Sequence, residues 1–233
     1  MKARTSIVIT SLISCVFCTA ITSHALLYEF NRDLSNTFKD DPKTWLTAEF
    51  QDTTRLISGN TTSGVLLKLR ALELGKLPGS VFVSNWFFNN TLESGISSLK
   101  YVSDTTGTAL PTISTNKKDL NAGTGAKFDL NFQFPTENKD RFENSDSADI
   151  FMYGVTGLTA DSFNALSDKK QYFAEAHIQG ISTGAGSIWV VPGSGSGHPG
   201  STPSSVPEPG GLVLFGVGLL GLAIYAKRHM NHQ

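Results

Sequence analysis

Phe128-Asp129-Leu130-Asn131-Phe132-Gln133-Phe134 is the stretch whose reading decides the fold. Large apolar side chains alternate with polar ones, and Pro135 closes the run. Successive side chains of a strand point to opposite faces. Phe128, Leu130, Phe132 and Phe134 are therefore expected on one buried face, with Asp129, Asn131 and Gln133 on the other. Working outward, the same period recurs. Val65, Leu67, Leu69 and Ala71 alternate with Leu66, Lys68 and Arg70. Leu46, Ala48 and Phe50 oppose Trp45, Thr47 and Glu49. Tyr172, Ala174, Ala176 and Ile178 oppose Phe173, Glu175, His177 and Gln179. Residues 81–88 and 187–191 add two apolar runs, and turns rich in Gly, Asn, Ser and Thr at 58–64 and 121–125 punctuate the chain. Short strands separated by such turns predict a mainly β protein: one antiparallel β-sandwich of jelly-roll or immunoglobulin-like type. One short helix is predicted over 159–166. Thr159 is its cap, Asp161 lies in its first turn, and Phe163 and Leu166 share a face.

The flanks are of different material. Lys2 and Arg4 precede Ile7, Val8, Ile9, Leu12, Ile13, Val16 and Phe17, and Ser23-His24-Ala25 puts small residues at the −3 and −1 positions of a cleavage site. That is the order of a secretory signal peptide over 1–25, cut by signal peptidase after Ala25. A lipoprotein reading at Cys18 is poor, because Phe17 stands where a small residue is needed. Cys15 and Cys18 are the only cysteines and both lie in this leader. The mature chain then has no disulfide framework, thiolate metal site or cysteine nucleophile. A body over 26–191 must rely on its own core, and its length suffices for one domain.

Residues 192–205 read Pro-Gly-Ser-Gly-Ser-Gly-His-Pro-Gly-Ser-Thr-Pro-Ser-Ser, without a charge or a large apolar side chain. Such a segment buries nothing and is expected to be a flexible linker. Val206-Pro207-Glu208-Pro209 follows, then an uncharged apolar run over 210–226, then Lys227 and Arg228. As a helix the run is about 25 Å long, a short transmembrane span. The basic pair acts as a stop and keeps that end cytoplasmic, which puts the body outside.

Pro207-Glu208-Pro209, the span and the basic residues, in this order within 206–233, resemble the PEP-CTERM sorting signal of Gram-negative bacteria. The resemblance implies an exported, membrane-anchored precursor. Its motif is recognised by an exosortase, a membrane-embedded cysteine protease, and the product goes to the cell surface or extracellular matrix. It also implies a setting of exopolysaccharide production and biofilm formation. One departure is that His229-Met230-Asn231-His232-Gln233 follows the basic pair, where the family often ends on arginines. The body is similar to those of uncharacterised proteins with this tail, through 128–135, 160–164 and 176–180, and that similarity brings no activity with it.

For chemistry the body offers little. It holds a single histidine, His177, on the same strand face as Glu175. No second histidine or cysteine completes a metal set, and no Gly-x-Ser-x-Gly elbow presents a serine within the body. Glu143, Asn144, Asp146 and Asp149 are the densest set of oxygen ligands. They are the place to look for calcium, although the EF-hand pattern is missing. Basic and acidic residues are interspersed, with no basic stripe of the kind nucleic acid requires. Aromatic side chains are the remaining lead, with Trp45 and Trp86 the first candidates to stack on a sugar face. The expectation is a non-enzymatic exported surface or matrix protein without a cofactor. The alternatives are a secreted carbohydrate-binding module and a polysaccharide-active hydrolase centred on His177 or an acidic pair.

Overall fold

The computed structural model describes residues 24–38, 43–92, 95–103, 110–169, 172–184, 186–193 and 204–205. The expected leader through Ser23, residues 194–203 of the expected linker, the sorting residues Val206, Pro207, Glu208 and Pro209, the expected 210–226 span and the Lys227-Arg228 stop lie outside the described residues. Among the described residues no helix is long and apolar enough to cross a membrane.

The strands are β1 (Ala25–Asp33), β2 (Leu46–Ile57), β3 (Asn60–Ala71), β4 (Gly79–Phe88), β5 (Lys100–Ser103), β6 (Thr112–Asn121), β7 (Lys127–Gln133), β8 (Ser147–Tyr153), β9 (Ala174–Ile181), β10 (Ser187–Pro192) and β11 (Ser204–Ser205). They form one sheet in the order β5-β8-β3-β2-β1-β10-β9-β4-β7-β6, with β11 added to β1. Every pairing between them is antiparallel. The mainly β, antiparallel expectation is met. The pairing, however, runs unbroken through one curled sheet instead of dividing into two. The joint is β1, which pairs with β2 through Ala25 to Phe30 and hands its other edge to β10 from Phe30 to Asp33. A register shift between Phe30 and Arg32 marks a bulge there, the usual device for bending a sheet.

Curling brings distant strands face to face. Phe50 of β2 and Phe88 of β4 are separated by three strands in the sheet order, yet their rings lie 5.0 Å apart, edge to face. Phe30 and Trp86 repeat this contact at 5.2 Å, and Phe50 stacks on Phe163 at 4.2 Å. Edge-to-face and offset pairs suit the ring quadrupole. The hydroxyl of Tyr28, buried among these rings, donates to the Phe163 carbonyl at 2.9 Å, and burial holds it far above the ordinary tyrosine range.

The alternation works where one face is buried. Leu46, Ala48 and Phe50 on β2, Val65, Leu67, Leu69 and Ala71 on β3, and Ala174, Ala176 and Ile178 on β9 all enter the core. Leu130, Phe132 and Phe134 do so too. Phe128 is a correction: it leaves the main core and joins a smaller cluster with Phe87, Ala122 and Ala126. The predicted helix is a correction in length. It is a single 3-10 turn, Ala160–Phe163, although Thr159 caps it as expected and Ser162 completes a reciprocal cap. Asn164 stops it, with ψ at 61° outside the helical range. The turn expected over 58–64 shrinks to Ser58-Gly59, and Asn60 already begins β3. Gly59 takes φ of +83°, as a tight hairpin demands.

Candidate functional site

His177 and Glu175 share the outer face of β9, as their spacing requires, but each bonds elsewhere. Glu175 is completely buried. The loop after β6 folds over it: the Thr124 backbone N–H donates to Oε1 at 3.1 Å and the Thr124 hydroxyl to Oε2 at 2.8 Å. Burial pushes the Glu175 carboxyl up to about 7, against these two bonds, which pull it down. The His177 ring stacks flat on Trp189, 4.2 Å between centroids and 7° between planes. Its Nδ1 lies 3.1 Å from Ser84 Oγ and 3.1 Å from Gln179 Nε2. An amide nitrogen can only donate, so Nδ1 accepts and the ring proton is assigned to Nε2. Burial pushes the imidazole below the ordinary histidine value.

The same loop seals the patch. Ala122 and Ala126 pack with Phe87 and Phe128, while Tyr172 and Trp189 close the rim. The guanidinium of Arg32 sits 5.6 Å from the centre of the Tyr172 ring. Acid, imidazole and hydroxyl therefore lie close in the fold but are committed to packing. Ser84 is itself buried, and Trp189 covers one face of His177.

Trp45 and Trp86 require a correction. Both are 0% exposed, Trp86 wedged among Phe30, Phe88 and Phe142, so neither presents a ring to a sugar. An indole followed by Phe87-Phe88 in a strand reads equally well inward or outward. Only the curl of the sheet decides.

Three members of the Glu143, Asn144, Asp146 and Asp149 set are spent on structure. Asp146 Oδ2 accepts from the Glu143 N–H at 2.7 Å, Asn144 Oδ1 accepts from the Gly75 N–H at 2.9 Å, and Asp149 pairs with Arg70 at 2.6 Å. Among the described residues no group of three or more His, Cys, Asp or Glu side chains is placed to hold a metal ion.

One open feature is a cleft of about 460 Å³ where β2 and β3 run on past their neighbours. Gln51, Asp52, Thr53, Thr54, Ser63 and Gly64 line it with Leu158 and Thr159. Asp52 Oδ1 accepts from the Ala160 N–H at 2.7 Å, which ties the 3-10 turn to the cleft wall. The lining side chains carry hydroxyl, amide and one carboxylate groups, although most of the exposed lining surface is carbon. No periodicity in the sequence marked it, because its walls meet only across the β2–β3 hairpin and a loop a hundred residues later.

Both chain ends of the body meet beside this cleft. Ala25, the expected last residue of the leader, is the buried first residue of β1, opposite Gln51. A cut after Ala25 therefore requires β1 to be out of the sheet, and it leaves Leu26, a core side chain, as the first residue. Ser23 is outside the described residues. At the other end the body runs past the expected boundary. β10 includes Pro192, and the Gly193 N–H donates to the Glu29 carbonyl at 3.3 Å. Ser204 and Ser205 pair with Leu27 and Leu26 on the edge that β10 leaves open.

Residues 205–228 match the model of the PEP-CTERM protein-sorting motif. No curated protein and no solved structure matches the chain. The match begins at Ser205, the residue that faces Leu26. The protein carries a PEP-CTERM sorting signal, which makes it an exported exosortase substrate with a membrane-anchored precursor.

Proposed function

Starting from a chain sorted through a PEP-CTERM signal, we propose that its body is a non-catalytic module of the cell surface or extracellular matrix that associates with exopolysaccharide after release. Signal peptidase removes the leader and the exosortase removes the tail. The two facing halves of the curled sheet act as a sandwich-like scaffold, with no cofactor and no catalytic residue. The observation that carries the reading is the cleft at the base of the β2–β3 hairpin. Hydroxyl and amide groups set in a mainly carbon-lined surface suit the alternating O–H and C–H surface of a neutral sugar chain. The acid–base groups that a hydrolase would need, Glu175 and His177, are held instead by Thr124, Ser84, Gln179 and Trp189.

The test uses the processed protein with cell-derived exopolysaccharide, following co-sedimentation and release of reducing ends together. Co-sedimentation without release is expected. The substitution Thr54→Arg, at an exposed position of the cleft, should abolish co-sedimentation while leaving thermal unfolding unchanged. Steady release of reducing ends that His177→Ala abolishes would replace the binding reading with a hydrolase.

A further inference from the structure

The ladder along β1 fixes a direction. β1 begins at Ala25, opposite Gln51, whereas the β2–β3 hairpin continues to Ile57 opposite Asn60. On the far side β8 covers β3 only as far as Val65. The hairpin therefore projects beyond both neighbours. Its tip carries Leu56, 69% exposed, beside Arg55 and the Ser58-Gly59 turn.

β11 runs antiparallel to β1, with Ser204 opposite Leu27 and Ser205 opposite Leu26. A chain leaving Ser205 in that direction passes Ala25 on the side from which the hairpin projects. Only Val206, Pro207, Glu208 and Pro209 separate Ser205 from Gly210, where the apolar run begins. Five residue steps of extended chain reach at most about 17 Å. From Phe50, the ladder partner of Leu26, the tip at Ile57 lies seven residues on, about 23 Å at strand rise. The hairpin is longer than the tether.

From these lengths we propose that in the precursor the tip of the β2–β3 hairpin rests in the membrane surface, with Leu56 seated among the lipid headgroups. This rests on the sorting reading, in which residues 210–226 span the bilayer. With β11 docked and the strands upright on the bilayer, the tether is too short to hold the tip clear of the headgroups, and the seated Leu56 is what keeps the strands upright. The tip's chemistry suits the contact: from Thr53 to Gly64 the hairpin carries one cation, Arg55, no carboxylate, and otherwise Thr, Ser, Asn, Gly and the apolar pair Leu56-Ile57. An apolar side chain beside a cation, without acids, meets an anionic headgroup layer without repulsion. The cleft at the hairpin's base then faces the bilayer until the tail is cut.

The test takes the full chain with Cys15→Ser and Cys18→Ser, which leaves no other cysteine. A single cysteine is placed at the tip (Thr61→Cys) or beyond the opposite end of β3 (Lys76→Cys), and carries a fluorophore. The protein is reconstituted in phosphatidylcholine–phosphatidylglycerol vesicles that contain a headgroup-nitroxide lipid. Carbonate extraction reads the anchor, and quenching reads the orientation. We expect both labelled proteins to stay in the membrane, with several-fold stronger quenching at Thr61→Cys than at Lys76→Cys. Adding Leu56→Asp should bring the tip down to the level of the far site. Equal quenching at both sites in an anchored protein overturns this inference and leaves the sorting reading intact, whereas a chain that washes off the vesicles overturns both. A disulfide between Leu27→Cys and Ser204→Cys, formed before labelling, locks β11. Tip quenching must persist with it, and loss of quenching on locking also overturns the inference.

Discussion

A Cβ added to Gly123 would lie 2.0 Å from Cε2 of Trp189, so this glycine and this indole share one packing volume. Gly123 belongs to the loop that carries Thr124 onto Glu175. Any side chain there pushes either the indole off His177 or the loop off the carboxylate. Gly123→Ala should lower unfolding stability by about 1–3 kcal/mol, the usual cost of overpacking. Denaturant melts measure it, and an unchanged midpoint would show that the loop is not seated on Trp189.

The buried carboxylate predicts a pH dependence. In the folded chain Glu175 sits near 7, above the ordinary 4.5 that it regains on unfolding. The native state therefore holds the proton more tightly, and stability falls as pH rises from about 4.5 through about 7. Above that range the ionised, buried group costs about 3 kcal/mol, from 1.36 kcal/mol per pH unit. Glu175→Gln keeps an acceptor and a donor for Thr124 and should flatten this slope and raise the melting temperature at pH 8. A variant that keeps the wild-type slope would assign the effect to another group.

His177 acts with the opposite sign. Its folded value lies below the ordinary 6.5, so the unfolded chain takes up the proton first and stability falls as pH drops below about 6.5. A proton on Nδ1 would also face the Gln179 amide, which is already a donor. In wild type the two trends offset one another over part of the acid range. In Glu175→Gln the loss of stability on acidification should stand alone. Ring titration by NMR should place His177 below 6.5 with the proton on Nε2, and a midpoint above 6.5 is the contrary result.

Sorting supplies the fourth prediction. Glu208→Ala or Pro209→Ala, within the matched motif, should leave a precursor of full tail length in the membrane fraction, where the native protein is processed and released. Equal loss of the tail from native and substituted chains would show that cleavage does not read these residues.

Half-buried strands were legible because a one-sided sheet writes its burial into alternate residues. That holds for 46–50, 65–71 and 130–134. The expectation failed where that condition failed. β6 has little buried along its length, so Thr112–Asn121 showed no period. β1 does alternate, with Leu26, Tyr28 and Phe30 inward, but its start coincides with the expected cleavage site, so the residues there serve two readings. The patch around Glu175 was half legible. Its spacing from His177 is local, whereas Thr124 reaches it from 51 residues away. The burial of Trp45 and Trp86 depends on which halves of the sheet meet, and no local pattern carries that.

The partnership of Leu26 with Ser205 has one more consequence. If both cuts of the proposed reading are made, Leu26 at the new start and Ser205 near the new end are rungs of the same ladder. Topologically the finished domain is almost a ring, interrupted by one missing turn. A short Asn-Gly bridge between the two ends would close it, and the ring could be reopened at another surface loop without changing the order of any strand. The fold is thus indifferent to where its chain starts. That suits a body whose two ends, on the reading proposed above, are made by cutting rather than by synthesis.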